Sequence, residues 1–361
     1  MRGFHPLTIR DVRRETEDAV SIAFDLPAEL GEDFRFHQGQ FLTLRTVMDG
    51  EEVRRSYSIC SGLDDGELRV AIRKVPGGRF SSFANDALKP GDVLEAMAPD
   101  GRFFTELDPE TARHYVLIAA GSGITPMLSI ARSVLAREPQ SRISLVYGNR
   151  NVASILFRQA LQDLKDRYLD RVSLYHVLSR EPQDSALMTG RIDADKMQGL
   201  LDRILPPDTV DEWFICGPLP MIDAVRDTLQ TAGVDRHHIH FELFTDGFGR
   251  PLGSQAAPVT ETIPSDTPMA AITLLLDGIE SRFDAPMAGP SLLDAALKER
   301  PDLPFACKGG VCCTCRAKVL EGEVSMAINY GLEPEEIDKG FVLACQAHPM
   351  TDKVTLDFDA R

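Results

Sequence analysis

The chain has 361 residues, of which 43% are hydrophobic and 26% charged, and its formal net charge is −16. That length has room for two or three domains with their own cores, and the acidic balance argues against nucleic acid as a partner. No apolar run reaches the ~18–20 residues that span a bilayer, and the N-terminal MRGFHPLTIR lacks the apolar core of a signal peptide, so a cytoplasmic protein without a membrane partner is expected.

Residues 1–105 read as short strands broken by turns. From Ala19 to Leu26, Val20, Ile22, Phe24 and Leu26 alternate on one face, the period-2 pattern of a half-buried strand. Further strands are expected at Gln40–Arg45, Val53–Cys60, Leu68–Lys74 and Val93–Met97, separated by Gly and Pro clusters such as Lys89-Pro-Gly-Asp92. Evenly spaced short strands predict a small antiparallel barrel. Within it lie Arg55-Ser-Tyr57-Ser58 and, about twenty residues on, Gly77-Gly78-Arg-Phe-Ser81-Ser82. The first is also what a plain strand would carry. The second can offer backbone amides and hydroxyls to a phosphate.

From residue 113 the pattern turns to strand–helix alternation. Tyr115–Ala120 is a continuous apolar run, as in a strand buried on both faces. Met127–Arg137 spaces Leu128, Ala131, Val134 and Leu135 as one helix face. Strands at Ile143–Tyr147, Val172–Leu178 and Trp213–Cys216, with helices near 155–168, 196–204 and 219–231, predict a parallel sheet covered by helices. Gly121-Ser-Gly123-Ile-Thr125-Pro126 follows the first strand and opens a helix, a place where a dinucleotide phosphate is electrostatically favoured, although a tight turn without ligand has the same pattern.

Asp246–Pro268 holds three Gly and four Pro without apolar periodicity and reads as a linker. Beyond it, Ala271–Leu276 and Ile279–Phe283 flank Asp277-Gly278, a type I′ hairpin signal. Ser291-x-x-Asp294 caps a helix to about Glu299, and strands are expected at Cys315–Leu320 and Val354–Phe358. Five of the seven cysteines lie in this last quarter, which favours a metal site over a secreted disulfide framework. Cys307, Cys312 and Cys315 have the spacing Cys-x4-Cys-x2-Cys, with Cys345 further on, the ligand pattern of a plant-type 2Fe–2S cluster. Gly309 and Gly310 would let backbone amides approach the cluster sulfurs. Cys313 falls between ligand positions. A zinc site would ordinarily show two short ligand pairs, and here the last cysteine stands alone.

Taken in order, Arg55-x-Tyr57-Ser58, Gly78-x-x-Ser81, Gly121-x-Gly123-x-x-Pro126 and Cys216-Gly217-Pro218 resemble the ferredoxin–NADP reductase superfamily. The resemblance implies a flavin barrel (1–108), an α/β nicotinamide domain (109–245), a linker (246–268) and a β-grasp, α+β ferredoxin domain (269–361). It implies Arg55 on the flavin phosphates, Tyr57 on the isoalloxazine ring, Ser58 near its N5 and Ser81 at the pyrophosphate, with FAD favoured over FMN by the Gly78-x-x-Ser81 match. It puts Gly121, Gly123 and Thr125 at the nicotinamide nucleotide and Cys216, Gly217 and Pro218 beside its ring. Ser179-Arg180 resembles the segment that takes a 2′-phosphate, so NADPH is expected over NADH, since a permanent cation and a hydroxyl suit a phosphate monoester. Phe244, in a Glu-x-Phe segment, would cover the flavin or else be plain core. Asn329-Tyr-x-Leu332, Leu343-x-Cys345-Gln346 and the ferredoxin-last order are similar to reductases that serve a diiron epoxidase, a ketosteroid hydroxylase or the hybrid-cluster protein. The resemblance implies an oxygenase component, a diiron protein, as electron acceptor. A chain that mainly scaffolds an oxygenase complex is the reading from another class.

Overall fold

The computed structural model describes residues 3–245 and 267–360. The expected linker 246–268 lies outside the described residues except for its last two. The chain divides into two compact units, the first carrying an antiparallel and a parallel sheet, the second a mixed sheet.

The first sheet is built from β1 (Phe4–Thr16), β2 (Ala19–Asp25), β3 (Phe41–Met48), β4 (Glu51–Ser58), β5 (Leu68–Arg73) and, after helix α1 (Arg79–Asp86), β6 (Val93–Met97). Its order is β4-β3-β6-β1-β2-β5, and every neighbouring pair is antiparallel. The sheet curls until its edges meet, with Ile59 bridging Val70 and Cys60 N–H donating to Arg69 O at 2.8 Å. Val20, Ile22 and Phe24 of β2 face the barrel core with Leu42, Leu44 and Ile72, as their alternation predicts. Ala19 faces the other way, into the core of the second sheet. Two elements go beyond the sequence reading. β1 is missing from it because only Leu7 and Ile9 of its thirteen residues are fully buried amid charged neighbours. The expected phosphate turn at residues 77–82 is the first turn of α1, with Gly78 as its N-cap.

The second sheet contains β7 (His114–Ala120), β8 (Arg142–Asn149), β9 (Val172–Leu178), β10 (Glu212–Gly217) and β11 (Ile239–Leu243) in the order β11-β10-β7-β8-β9, all parallel. Helices α2 (Ile124–Arg137), α3 (Arg158–Arg167), α4 (Ala194–Arg203) and α5 (Leu219–Thr231) connect them. Tyr115 to Ala119 are wholly buried, so β7 is central and covered on both faces.

The second unit holds β12 (Met269–Leu276), β13 (Ile279–Pro286), α6 (Leu292–Ala296), β14 (Arg316–Glu321), β15 (Val324–Met326), α7 (Pro334–Asp338), β16 (Phe341–Leu343), β17 (Ala347–Pro349) and β18 (Lys353–Asp357). Its five-stranded sheet runs β13-β12-β18-β14-β16, parallel only between β12 and β18, and β15 pairs separately with β17. Asp277 and Gly278 have φ of 52° and 71°, as the expected type I′ hairpin requires. Ser291 caps α6, its Oγ accepting from Asp294 N–H at 3.1 Å. The helix stops at Ala296 rather than near Glu299; single turns held on the carbonyls of Ala295 and Ala296 carry the chain to Pro301, which disfavours helix at the residue before it.

Candidate redox and nucleotide sites

The ends of β4, β10 and β11 converge in the first unit. Ser58 Oγ donates to Glu242 Oε2 at 3.1 Å across 184 residues of sequence. In the parallel pairing of β10 with β11, Glu242 stands beside Cys216. Burial pushes the Glu242 carboxyl up to about 8, against the pull of the Ser58 hydroxyl. Burial, then the charge of Glu242, pushes the Cys216 thiol well above its ordinary range. Both groups therefore stay protonated near neutral pH, which leaves a carboxylic acid and a thiol with protons where Ser58, its hydroxyl bonded to Glu242, ends its strand. In the sequence Glu242 is only the first residue of the Glu-x-Phe segment; what identifies it is its contact with Ser58, which no local pattern encodes.

This carboxyl gives a measurable signature. The unfolded chain releases its proton near 4.5, whereas the folded protein holds it to about 8. Its contribution to stability is complete below the lower value and is lost as pH rises through the upper one. Thermal unfolding followed from pH ~5 to ~9 should show the wild type losing more stability than Glu242→Gln; parallel profiles would mean Glu242 ionises normally.

The glycine turn after β7 presses against the same place. A Cβ on Gly123 would lie 2.1 Å from the Cys216 carbonyl oxygen, and one on Gly217 would lie 2.5 Å from Met221 Cε. Gly121 has φ of 56°, and Tyr147 Oη donates to its carbonyl at 2.9 Å. Thr125 Oγ1 donates to Ser122 O at 3.0 Å, inside the turn. The turn Gly121–Gly123 runs straight into α2, where Ile124 N–H is bonded to Gly121 O and Ser122 O and Pro126 has no N–H, so it is the positive end of the helix dipole that favours an anion there. Pro218 is the N-cap residue of α5. Phe244, just past β11, packs half-buried against the core of the parallel sheet.

On the barrel, Tyr57 is half-buried with its ring 5.5 Å from that of Phe80, and burial keeps its phenol protonated. Arg55 Nη1 donates to Arg54 O at 2.6 Å. Ser81 Oγ accepts from Val75 N–H at 3.1 Å and donates to Gly78 O at 3.3 Å, so this hydroxyl serves its own turn. The uncapped N–H groups of α1 remain as phosphate donors. An aromatic ring beside a helix start with unused amides fits a flavin and its phosphate chain.

Ser179 and Arg180 lie at the end of β9, three strands from β10 and apart from the Ser58–Cys216–Glu242 group. Their N–H groups donate to Asn149 O and Arg150 O at 2.9 and 2.8 Å, which ties this loop to the end of β8. The exposed Arg180 guanidinium has no partner among the described residues.

In the second unit, the loop from Cys307 to Cys315 leads into β14, and Cys345 follows β16. The thiols stand in two pairs, Cys307 with Cys312 and Cys315 with Cys345. Among the described residues, no three His, Cys, Asp or Glu side chains converge on a single metal-ion point. Two pairs suit two irons, each taking two thiolates, better than one tetrahedral ion. The Cys312 thiol lowers the Cys307 thiol to about 6, helped by backbone amides of Gly309, Cys312 and Val311. Gly309 N–H and Cys312 N–H reach Cys307 Sγ at 3.3 and 3.4 Å. Lys308, Gly310 and Cys313 all have positive φ, so the loop is held in a costly conformation by what surrounds it.

That surround is the Asn329–Leu332 turn. Asn329 Oδ1 accepts from Gly331 and Leu332 N–H at 3.2 and 2.9 Å, and Tyr330 N–H donates to Gly310 O at 2.9 Å. A Cβ on Gly331 would sit 2.4 Å from Val311 O and 2.5 Å from Cys313 Sγ. Gln346 Nε2 donates to Lys308 O at 2.9 Å. The Asn-Tyr-x-Leu and Leu-x-Cys-Gln segments are therefore braces for the thiolate loop, and Cys313 turns its thiol toward the first of them.

Comparison with known proteins accords with this arrangement. Residues 6–105 match the model of the oxidoreductase FAD-binding domain, 117–227 that of the oxidoreductase NAD-binding domain, and 274–350 that of the 2Fe-2S iron-sulfur cluster binding domain. The chain is 44% identical to a component of the 1,2-phenylacetyl-CoA epoxidase of Escherichia coli (strain K12), over 100% of this chain and 99% of that protein. It is 35% identical to the ferredoxin reductase component of 3-ketosteroid-9-alpha-monooxygenase from Rhodococcus rhodochrous, over 98% and 96% of the two chains. Phthalate dioxygenase reductase shares the fold, with a TM-score of 0.59 at 24% identity over 99% of this chain and 98% of that one. No helix among the described residues is long and apolar enough to cross a membrane. With its flavin, nicotinamide and iron–sulfur modules all present and its likeness running end to end, this chain belongs to the family of FAD- and 2Fe–2S-dependent NAD(P)H oxidoreductases that act as reductase components of oxygenase systems.

Proposed function

We propose that this reductase carries electrons from NADPH through FAD and a 2Fe–2S cluster to a diiron oxygenase of the phenylacetyl-CoA epoxidase type, in phenylacetate catabolism. The observation that carries the choice of acceptor is the 44% identity to the Escherichia coli epoxidase component over the whole chain, against 35% to the ketosteroid monooxygenase component. The chemistry that FAD would supply here is conversion of one two-electron hydride transfer into two single-electron transfers to the cluster. The protein's own contribution is placement. Arg55 and the α1 amides from Arg79 to Ser81 would hold the flavin phosphates, with Gly78 forming their turn, Tyr57 and Phe244 would flank the flavin ring, and Ser58 with Glu242 would present a donor toward its N5. Gly121, Gly123 and Thr125 would bring the nicotinamide nucleotide against Cys216, Gly217 and Pro218. Cys307, Cys312, Cys315 and Cys345 would ligate the two irons.

Arg180, exposed and with no guanidinium partner among the described residues, and Ser179 beside it support a 2′-phosphate site and hence NADPH. Arg180→Ala should weaken NADPH binding by about 1.5–3 kcal/mol, the scale of a charge-assisted hydrogen bond, and leave NADH nearly unchanged. Equal losses for the two, measured by titration, would make Arg180 structural. The acceptor is tested by NADPH-dependent oxygenation of phenylacetyl-CoA with the matching oxygenase, with and without this chain. Full product without the chain, or no product with it while a ketosteroid hydroxylase is reduced efficiently, would transfer the assignment to that relative. Residues 269–361 carry 15 Asp and Glu against 9 Lys and Arg. If this net negative charge guides docking, electron transfer to the partner should slow as ionic strength rises.

A further inference from the structure

The loop between β4 and β5 grips one face of α2, a contact with no part in the roles above. Ser129, Arg132, Ser133 and Arg137 stand on that face at helical spacing. Ser129 Oγ donates to Ser61 O at 2.7 Å, and Ser133 Oγ accepts from Leu63 N–H at 3.1 Å while donating to Ser129 O at 2.7 Å. All three serines are buried. Gly62, between Ser61 and Leu63, brings the loop against the helix, since a Cβ there would lie 2.7 Å from Arg132 Cβ. The ion pairs around this contact differ in kind. Arg132 donates to Asp65 at 2.8 Å and Arg137 holds Asp64 by two bonds of 2.9 Å, but these side chains reach solvent, where water replaces such bonds at little cost. The contact joins two functional segments. Ser61 is three residues past Ser58, and the chain between them has no slack. Ile59 N–H donates to Gln40 O and Cys60 N–H to Arg69 O, both at 2.8 Å, and Ser61 Oγ accepts from Arg69 N–H at 3.1 Å. On the other side, Ser129 belongs to the same unbroken helix that starts from Gly123, the glycine pressed on the Cys216 carbonyl. Two hydroxyls thus link the strand that ends at Ser58 to the helix that begins at the nucleotide turn.

We propose that Ser129 and Ser133 are positioning residues for hydride transfer, which fix the gap between the flavin strand β4 and the glycine turn by fastening α2 to the backbone of Ser61–Leu63. This role rests on the functional reading above, with the flavin against Tyr57 and Ser58 and the nucleotide at Gly121–Thr125. Bonds from hydroxyl to backbone suit the task. Each is directional and shielded from water, so the helix can neither slide along its axis nor roll without leaving a buried polar group unpaired. An apolar contact of the same area would hold the two domains together but would not fix the helix against small shifts. Both hydroxyls are engaged by backbone, so they act through the placement of α2 and not on a ligand.

The test is anaerobic stopped-flow reduction of the oxidised full-length flavoprotein by NADPH, unlabelled and with deuterium at both C4 positions. Flavin content, melting temperature and the dissociation constant of NADP+ are recorded for each variant. In the double variant Ser129→Ala/Ser133→Ala the limiting rate of flavin reduction should fall about tenfold or more, towards the ~hundredfold of a ~1 Å displacement. Flavin content and NADP+ affinity should stay close to those of the wild type. Deuterium should slow the double variant at least as strongly as the wild type, because hydride transfer itself is the step impaired. Each single variant should fall between the two, so the expectation can still be read if the double variant loses its flavin. Gly62→Ala, which wedges the same contact from the barrel side, should give the same signature, and Arg137→Gln should match the wild type. Limiting rates unchanged in the serine variants would overturn the proposal, as would a loss of rate matched by equal loss of flavin or of NADP+ affinity. So would disappearance of the isotope effect, or an Arg137→Gln protein as slow as the double variant. Gly123→Ala separates the two layers: if it slows reduction while the serine variants do not, only the fastening role fails, and if neither slows it, the nucleotide site itself lies elsewhere.

Discussion

Replacing any one of Cys307, Cys312, Cys315 or Cys345 by Ser should abolish the visible iron–sulfur absorption, while Cys313→Ser should keep it. The arrangement of the thiols explains the sharp division. Cys307 interacts with Cys312 and Cys315 with Cys345, so on the proposed ligation loss of any one would leave an iron with a single thiolate from its pair. A serine hydroxyl is a harder, far less acidic ligand and does not substitute well for a soft thiolate. Cys313 instead faces the Gly331 turn, where its Sγ lies 2.5 Å from the position a Cβ on Gly331 would take and 3.8 Å from Val311 O. Its loss removes a packed sulfur from a brace and leaves both pairs complete. Metal analysis and absorption spectra of the five purified variants decide the matter: a colourless Cys313→Ser protein, or a normal Cys345→Ser spectrum, would reverse the ligand assignment. In every cluster-free variant NADPH should still reduce ferricyanide, because the Ser58–Cys216–Glu242 group belongs to the other unit.

How much of this is readable in the chain alone depends on whether the cause is local. The parallel strands can be read because burial on both faces demands unbroken apolar runs such as Tyr115–Ala120, and the hairpin because Asp277-Gly278 can adopt positive φ at little cost. The cysteine spacing is readable because a wrapped cluster fixes it. β1 is not, since charged neighbours mask its two buried anchors, Leu7 and Ile9. Helix α1 is hidden behind glycines that read as a turn and are in fact its entry. The role of Glu242 is out of reach for a deeper reason. It acquires meaning only from a partner, Ser58, delivered by another part of the fold. The braces at Asn329 and Gln346 stand in between: recognisable as patterns, they take on a physical sense through the amides that hold the loop.

Gly123→Ala should be the most damaging single methyl in the nucleotide domain. Its Cβ would fall 2.1 Å from the carbonyl oxygen and 2.6 Å from the carbonyl carbon of Cys216, both backbone atoms of β10. No rotamer change relieves that contact, so either α2 retreats from the turn or β10 shifts with Cys216. Overpacking of this kind costs about 1–3 kcal/mol of stability. The functional loss should exceed it, because displacement of a reacting geometry by about 1 Å can cost on the order of a hundredfold in rate. Gly217→Ala is the matched control from the same site, since its Cβ would meet the flexible end of Met221, Cε at 2.5 Å, which can swing aside. Gly3→Ala, with nothing within 4 Å, should be silent. The measurement is NADPH-driven ferricyanide reduction alongside thermal unfolding, with the expected order Gly123→Ala far below Gly217→Ala, and Gly3→Ala equal to the wild type. A Gly123→Ala protein as fast as Gly217→Ala would show that the close approach of this turn to Cys216 does not set the nicotinamide geometry.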